Sequence, residues 1–189
     1  MELKDYSGPY REGIRLEEFS KEALIKLIEV ASKDFVGVDG HWYSRIREKY
    51  GADTAWELNR HTWAGKDSFF LLHAVPRLCR AFKIEGNDCM PFLKFLQLAP
   101  DFGGVGTKFT AEIKSNYHVI VTVYECSSLN YFERHGETDL AYAACNMDVH
   151  FLQGLVDYFN PKIRVKALGA RPRKSKNEPA CQWELTLAE

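Results

Sequence analysis

The sequence predicts an α+β fold: amino-terminal helices, then a β-β-α-β-β unit forming an antiparallel sheet of about four strands with helices packed on one face. Three observations carry this expectation. Apolar residues recur at helical spacing from Ser20 to Ala99, strict alternation replaces that pattern after residue 107, and one further helical stretch separates the alternating segments. A chain of 189 residues is long enough for one full core and short for two. The expected organisation is therefore a single domain, with residues 1–15 an irregular lead-in, 16–100 mainly helical and 107–189 a sheet-forming, ligand-binding half.

In SKEALIKLIEVASKDF, Ala23, Leu24, Leu27, Ile28, Ala31 and Phe35 fall on one helical face behind Ser20, a good N-cap. The glycine-bearing FVGVDG then reads as a break. HWYSRIREKYG forms a second helix closed by Gly51 in the left-handed conformation, and ADTAWELNRHTWAGK a third closed by Gly65. Pro76 predicts a kink or break in DSFFLLHAVPRLCRAFKI, because proline lacks the amide hydrogen and fixes φ. Asp88 is placed to cap DCMPFLKFLQLA, which Pro100 stops.

The glycine-rich DFGGVGTK reads as a loop. It lacks the spacing of a phosphate loop and leads into a strand where a phosphate loop leads into a helix. KFTAEIKSNYHVIVTVYE then alternates as a hairpin that turns at Ser115 and Asn116, with Val119, Val121 and Val123 on one face. CSSLNYFERHGETDLAYAA holds one brief helix, and helical spacing resumes in MDVHFLQGLVDYFN until Asn160-Pro161 ends it. KIRVKALGA and CQWELTL complete the sheet, joined by RPRKSKNEPA as a basic, solvated turn.

Lysine and arginine nearly balance aspartate and glutamate, leaving a net charge of −1, so no global field draws the chain to nucleic acid or to an acidic membrane. The amino terminus has no apolar signal-peptide core, and no apolar run reaches the roughly 18 residues of a membrane span. The expected setting is cytoplasmic and the expected partner a small-molecule ligand, with a homodimer through the aromatic helices as a further reading. Five cysteines without a signal peptide do not suggest a disulfide framework.

The stretch AACNMDVHFLQGL places Cys145 where the expected helix opens. A helix dipole and unpaired amide hydrogens lower a thiol pKa there, and Asp148 follows one turn later to orient water or shuttle a proton. Cys145 and Asp148 are thus the candidate catalytic pair. Cys126 ends the second strand and Cys181 opens the last. With Cys145 they form a candidate site for zinc or another thiophilic metal, although no CxxC or HExxH spacing supports it. Cys126 and His150 are candidate ligand-binding residues, His150 as a secondary one since it points away from Cys145. Cys79 and Cys89, in apolar helices, read as core residues. His41, His61 and His118 read as structural, and the aromatics from Trp42 to Phe70 as packing residues that could also wall a pocket.

The strand ending in Cys126, the CNMD element at Cys145–Asp148, NPKIRV at Asn160–Val165, the terminal CQWELTL and the helical DGHWYSRIREKYGADTAWELNRHTW together resemble the L-2-amino-thiazoline-4-carboxylic acid hydrolase-like family. More distantly the layout resembles the 4-vinyl reductase small-molecule-binding domains. The resemblance implies an α+β ligand-binding domain with a pocket for small organic molecules, with Cys126, Cys145, Asp148 and Cys181 at the family's cysteine and aspartate positions. The chain departs from the hydrolase-like pattern at KALGARPRKSKNEPAC, where those members tend to carry an Arg-Thr pair. Two functional expectations result: a hydrolase acting on a small carbon–nitrogen substrate at a thiol-lined site, or a non-catalytic small-molecule or metal-binding module.

Overall fold

In a computed structural model, described for residues 2–100, 107–169 and 173–188 and without the side chains of residues 146–148, six helices and four strands follow the expected order. They are α1 (Lys21–Tyr50), α2 (Ala52–Trp63), α3 (Val75–Phe82), α4 (Met90–Leu98), β1 (Thr107–Ser115), β2 (His118–Cys126), α5 (Ser127–His135), α6 (Thr138–Phe159), β3 (Ile163–Leu168) and β4 (Cys181–Leu187). The glycine-rich stretch at 101–106 lies outside the described residues, so its expected loop is not addressed.

The Ser20 hydroxyl accepts the Ala23 amide hydrogen at 3.2 Å and opens α1 as expected. The expected break at FVGVDG does not occur: α1 runs unbroken for 30 residues through Gly37 and Gly40. A glycine costs a helix only about 1 kcal/mol, which the good helix formers on either side offset. Gly51, at φ +90°, then reverses the chain so that α2 returns along α1. This positive φ requires glycine, although its ψ of 167° is extended rather than left-handed helical.

The proline effect appears as a change of helical register. Pro76 has no amide hydrogen to return, and the turn before it, Phe70–Ala74, widens to a π-turn in which the Val75 amide reaches the Phe70 carbonyl. The Asp88 carboxylate caps α4 by accepting from the Met90 amide at 2.8 Å.

The four strands form one antiparallel sheet in the order β1-β2-β4-β3. Val119, Val121 and Val123 oppose Leu185, Trp183 and Cys181 in turn, so the buried face of β2 continues across β4. Phe92, Phe95 and Leu96 of α4 and Leu152, Leu155 and Val156 of α6 seal that face in one continuous apolar core. Gly154 lets α6 approach closely: a Cβ there would stand 3.4 Å from the Ala64 carbonyl oxygen. The opposite face is polar, with His118 against Glu184 at 3.0 Å and Gln182 donating to the Thr122 hydroxyl at 2.9 Å. His118, expected to be a satisfied structural histidine, has Glu184 as its partner on this face. No described helix is long and apolar enough to cross a membrane.

The two edges of the sheet differ. At the β3 edge the Gln153 side chain of α6 donates to the Ile163 carbonyl at 2.9 Å and accepts from the Val165 amide at 3.0 Å. One side chain thus occupies backbone groups that would otherwise template another strand. Replacing Gln153 with methionine keeps the volume and strips both bonds. Urea unfolding should show Gln153→Met less stable by about 1–3 kcal/mol, the cost of leaving buried backbone groups unpaired.

Candidate functional site

The thiols named from the sequence do not converge. Cys145 lies buried about two turns inside α6, because the helix begins at Thr138 and runs through the alanine-rich DLAYAA. The helix-terminus argument for an activated Cys145 thiolate therefore fails: at that depth the backbone amides are bonded within the helix. The Asp148 side chain lies outside the described residues. His150 is exposed, and five residues along a helix from Cys145 places it about 140° around the axis. The two do not share a site.

Cys181 opposes Val123, so Cys126 stands three residues, about 10 Å, further along β2. The Trp183 indole donates to the Cys181 sulfur at 3.1 Å. Among the described residues no three His, Cys, Asp or Glu side chains form a group able to hold a metal ion. Cys126, Cys145 and Cys181 are all described, so the expected three-thiol centre is not assembled. Register along the strand separates two of them, and the third belongs to the helical layer. Burial pushes the Cys89 thiol up to about 11, with Asp88 adding to the effect, and raises that of Cys79. Both are core residues, as expected.

The helix-terminus position belongs instead to Cys126, the residue that turns β2 into the first turn of α5. Close by lies Arg173, from the segment expected to be a solvated turn. Its side chain is only 8% exposed and folds back onto α5, where it donates two bonds of 2.8 Å to the Glu133 carboxylate and one of 3.3 Å to Asn130. This pairing holds the Glu133 carboxyl below the usual carboxylate range and raises Arg173, with the Cys126 thiol adding to the latter. The basic run was legible in the sequence, but its partner lies forty residues away in α5.

A second polar cluster runs along the α1–α2 hairpin. Arg47 of α1 ties the hairpin to the body by donating to Glu137, at the start of α6, at 3.0 Å, while within the hairpin the Trp63 indole of α2 donates to Asp39 of α1 at 3.1 Å. Burial raises the Asp39 carboxyl, only partly opposed by that indole bond. The Tyr43 hydroxyl and Glu137 Oε2 are buried beside this pair without a protein hydrogen-bond partner. The aromatics singled out as packing residues do pack, Trp63 on Phe70 and Tyr43 on Trp56, both with ring centroids 5.0 Å apart. Trp42 and Phe69 instead stand in solvent.

Two concavities adjoin the sheet. Between its buried face and the helices lies an apolar cavity of about 20 Å³, lined by Phe92, Leu96, Phe109, Val121 and Trp183 among others. That is room for little more than one water-sized group, and such apolar voids stay dry. The larger is an open groove of about 920 Å³ between α4 and the β1 edge. Met90, Leu93, Lys94 and Gln97 line it from one helical face, and Thr107 to Ala111 with Ile113 line it from the strand. Its floor is apolar. Lys108 on its rim is paired with Glu125 at 2.9 Å, whereas Lys94 has no ion-pair partner among the described residues. No expectation from the sequence pointed to this groove, although the i, i+3, i+4, i+7 spacing of its helical wall is visible in MPFLKFLQ.

The Arg173–Glu133 pair sets a pH-dependent share of stability. A carboxyl whose folded pKa is depressed stabilises the fold above its unfolded value and loses that contribution as pH falls through the folded one. Arg173→Met should cost about 1.5–3 kcal/mol in urea unfolding at pH 7, the worth of charge-assisted hydrogen bonds to a partly exposed carboxylate. The gap from the native chain should narrow as the pH drops below the ordinary carboxylate range.

No curated protein and no solved structure matches this chain. A family model described as "Family of unknown function (DUF6125)" matches residues 17–187. With that match spanning nearly its whole length, from the turn before α1 to the last residue of β4, the chain belongs to the DUF6125 family.

Proposed function

We propose that this chain is a small-molecule-binding domain whose ligand is an elongated amphipathic anion lying in the groove between α4 and β1. The observation that carries this reading is the groove itself: about 920 Å³, apolar along Met90, Leu93, Phe109, Ala111 and Ile113, with the Lys94 ammonium on its rim. Its size lies within the range of small-molecule sites, and one charged group beside an apolar floor is the pattern that orients such ligands. The internal cavity under the sheet does not compete, since it is too small for an organic molecule.

Dodecanoate and dodecanol, compared by isothermal calorimetry, test the reading. The carboxylate should bind at least tenfold more tightly than the alcohol. Lys94→Glu should remove that preference, worth about 1.4 kcal/mol. Ile113→Asp, at an exposed groove position, should weaken both ligands. Equal binding of acid and alcohol, or affinities untouched by both substitutions, would overturn it.

A hydrolytic reading rests on one observation: Cys126 stands at the amino terminus of α5 near the Arg173 guanidinium, a setting that favours a thiolate. On that reading Cys126, rather than Cys145, is the nucleophile toward a small carbon–nitrogen substrate. Iodoacetamide at pH 7 should then modify Cys126 at least tenfold faster than Cys89, read by peptide mass spectrometry. Equal slow labelling of the two would remove the nucleophile from consideration.

A further inference from the structure

α1 carries two faces. Along the face turned to α2, Ser32 is its one buried residue among those described, followed by Asp39 bonded to Trp63 of α2 and then Arg47 bonded to Glu137 of the body. The adjoining flank bears Leu24, which is partly buried, then Ile28, Ala31, Phe35, Val38 and Trp42, at successive spacings of four, three, four, three and four. That is the a/d repeat of a coiled-coil seam, sustained over nearly three heptads. Ile28, Val38 and Trp42 are 62%, 70% and 67% exposed, and Phe35 remains 46% exposed despite its edge contact with Trp63.

We infer that this seam is the interface with a second copy of the chain, the two α1 helices packing antiparallel about a two-fold axis. The argument starts from area. The seam exposes roughly 600 Å² of apolar surface per chain, at the upper end of the patches monomers show, so a symmetric pair that covers it buries about 1,200 Å², the lower end of the range of stable interfaces. A seam of strict heptad spacing fits a partner helix with the same spacing, and this chain supplies one. A closed two-fold pairing uses the same patch on both copies and leaves no open end to propagate.

The antiparallel sense follows from how α1 is held. Its carboxy-terminal half is packed on α2 through Asp39 and Tyr43 and tied to Glu137 through Arg47, whereas no residue from Lys21 to Ala31 is buried. An antiparallel partner lays the anchored half of one helix against the unsupported half of the other. A parallel pair would join the two unsupported halves only to each other. In the antiparallel pairing Ile28 meets Val38 of the other copy, Ala31 meets Phe35, and the two-fold axis passes close to residues 33 and 34.

Sedimentation equilibrium of the full chain between 1 and 100 µM tests the inference. The native protein should be a dimer, and the double variant Val38→Asp with Trp42→Glu should raise the dissociation constant at least a hundredfold while leaving the far-ultraviolet circular dichroism of the body unchanged. A native monomer at 100 µM, or a double variant that dimerises as tightly as the native chain, overturns the inference. Cross-linking addresses the sense of the pairing. Under mild oxidation Asp34→Cys should trap a covalent dimer that the native chain and Leu24→Cys do not form. The reverse pattern overturns the antiparallel arrangement.

Discussion

Everything in this fold depends on the sealing of one face of a four-stranded sheet by two helices. The valines of β2, Trp183 and Leu185 of β4 and Ile163 of β3 share one face because cross-strand partners always do, and α4 and α6 bury it. A slip of one residue in any strand would turn that face to solvent. Gly154 contributes by bringing α6 close to the chain that precedes it, and Gln153 contributes by satisfying the edge of β3.

The same arrangement decides where space is left beside the sheet. Among the described residues the helical layer packs the buried face so closely that the void lined by Phe92, Val121 and Trp183 measures about 20 Å³, too small for an organic molecule. Space opens instead at the opposite edge, where α4 stands off from β1 and leaves an apolar trough with a lysine on its rim. With one edge of the sheet occupied by its own glutamine and the other bordered by a groove, the proposed ligand is assigned to the β1 side.

The α1–α2 hairpin is attached differently, through the Arg47–Glu137 ion pair and the packing of Trp63 on Phe70 and Phe151, while Asp39–Trp63 and Tyr43–Trp56 hold its two helices to each other. Polar attachments of this kind hold a helix in one orientation more than they bury it. They leave free the apolar seam on which the inferred dimer rests, and they leave Tyr43 and Glu137 each with a buried oxygen lacking a protein partner. Such groups are uncommon in folded proteins and mark a junction where packing is not optimised for stability alone.

The sequence by itself determined the class of fold, the order of elements, the β1–β2 hairpin (its turn at Asn116–Tyr117, one residue beyond the expected Ser115–Asn116), the caps at Ser20 and Asp88 and the disturbance at Pro76. These are local: they follow from alternation, helical periodicity, and single residues acting on their own backbone. Tertiary structure decided what depends on distance across the chain. Helix formers carried α1 past two glycines and began α6 two turns before Cys145. Strand register separated Cys181 from Cys126, and Arg173 found Glu133 forty residues back. The thiol best placed at a helix terminus is Cys126, although the sequence pointed to Cys145. Both are cysteines beside helical sequence, and only the chain's path in space shows which one lies where a helix starts.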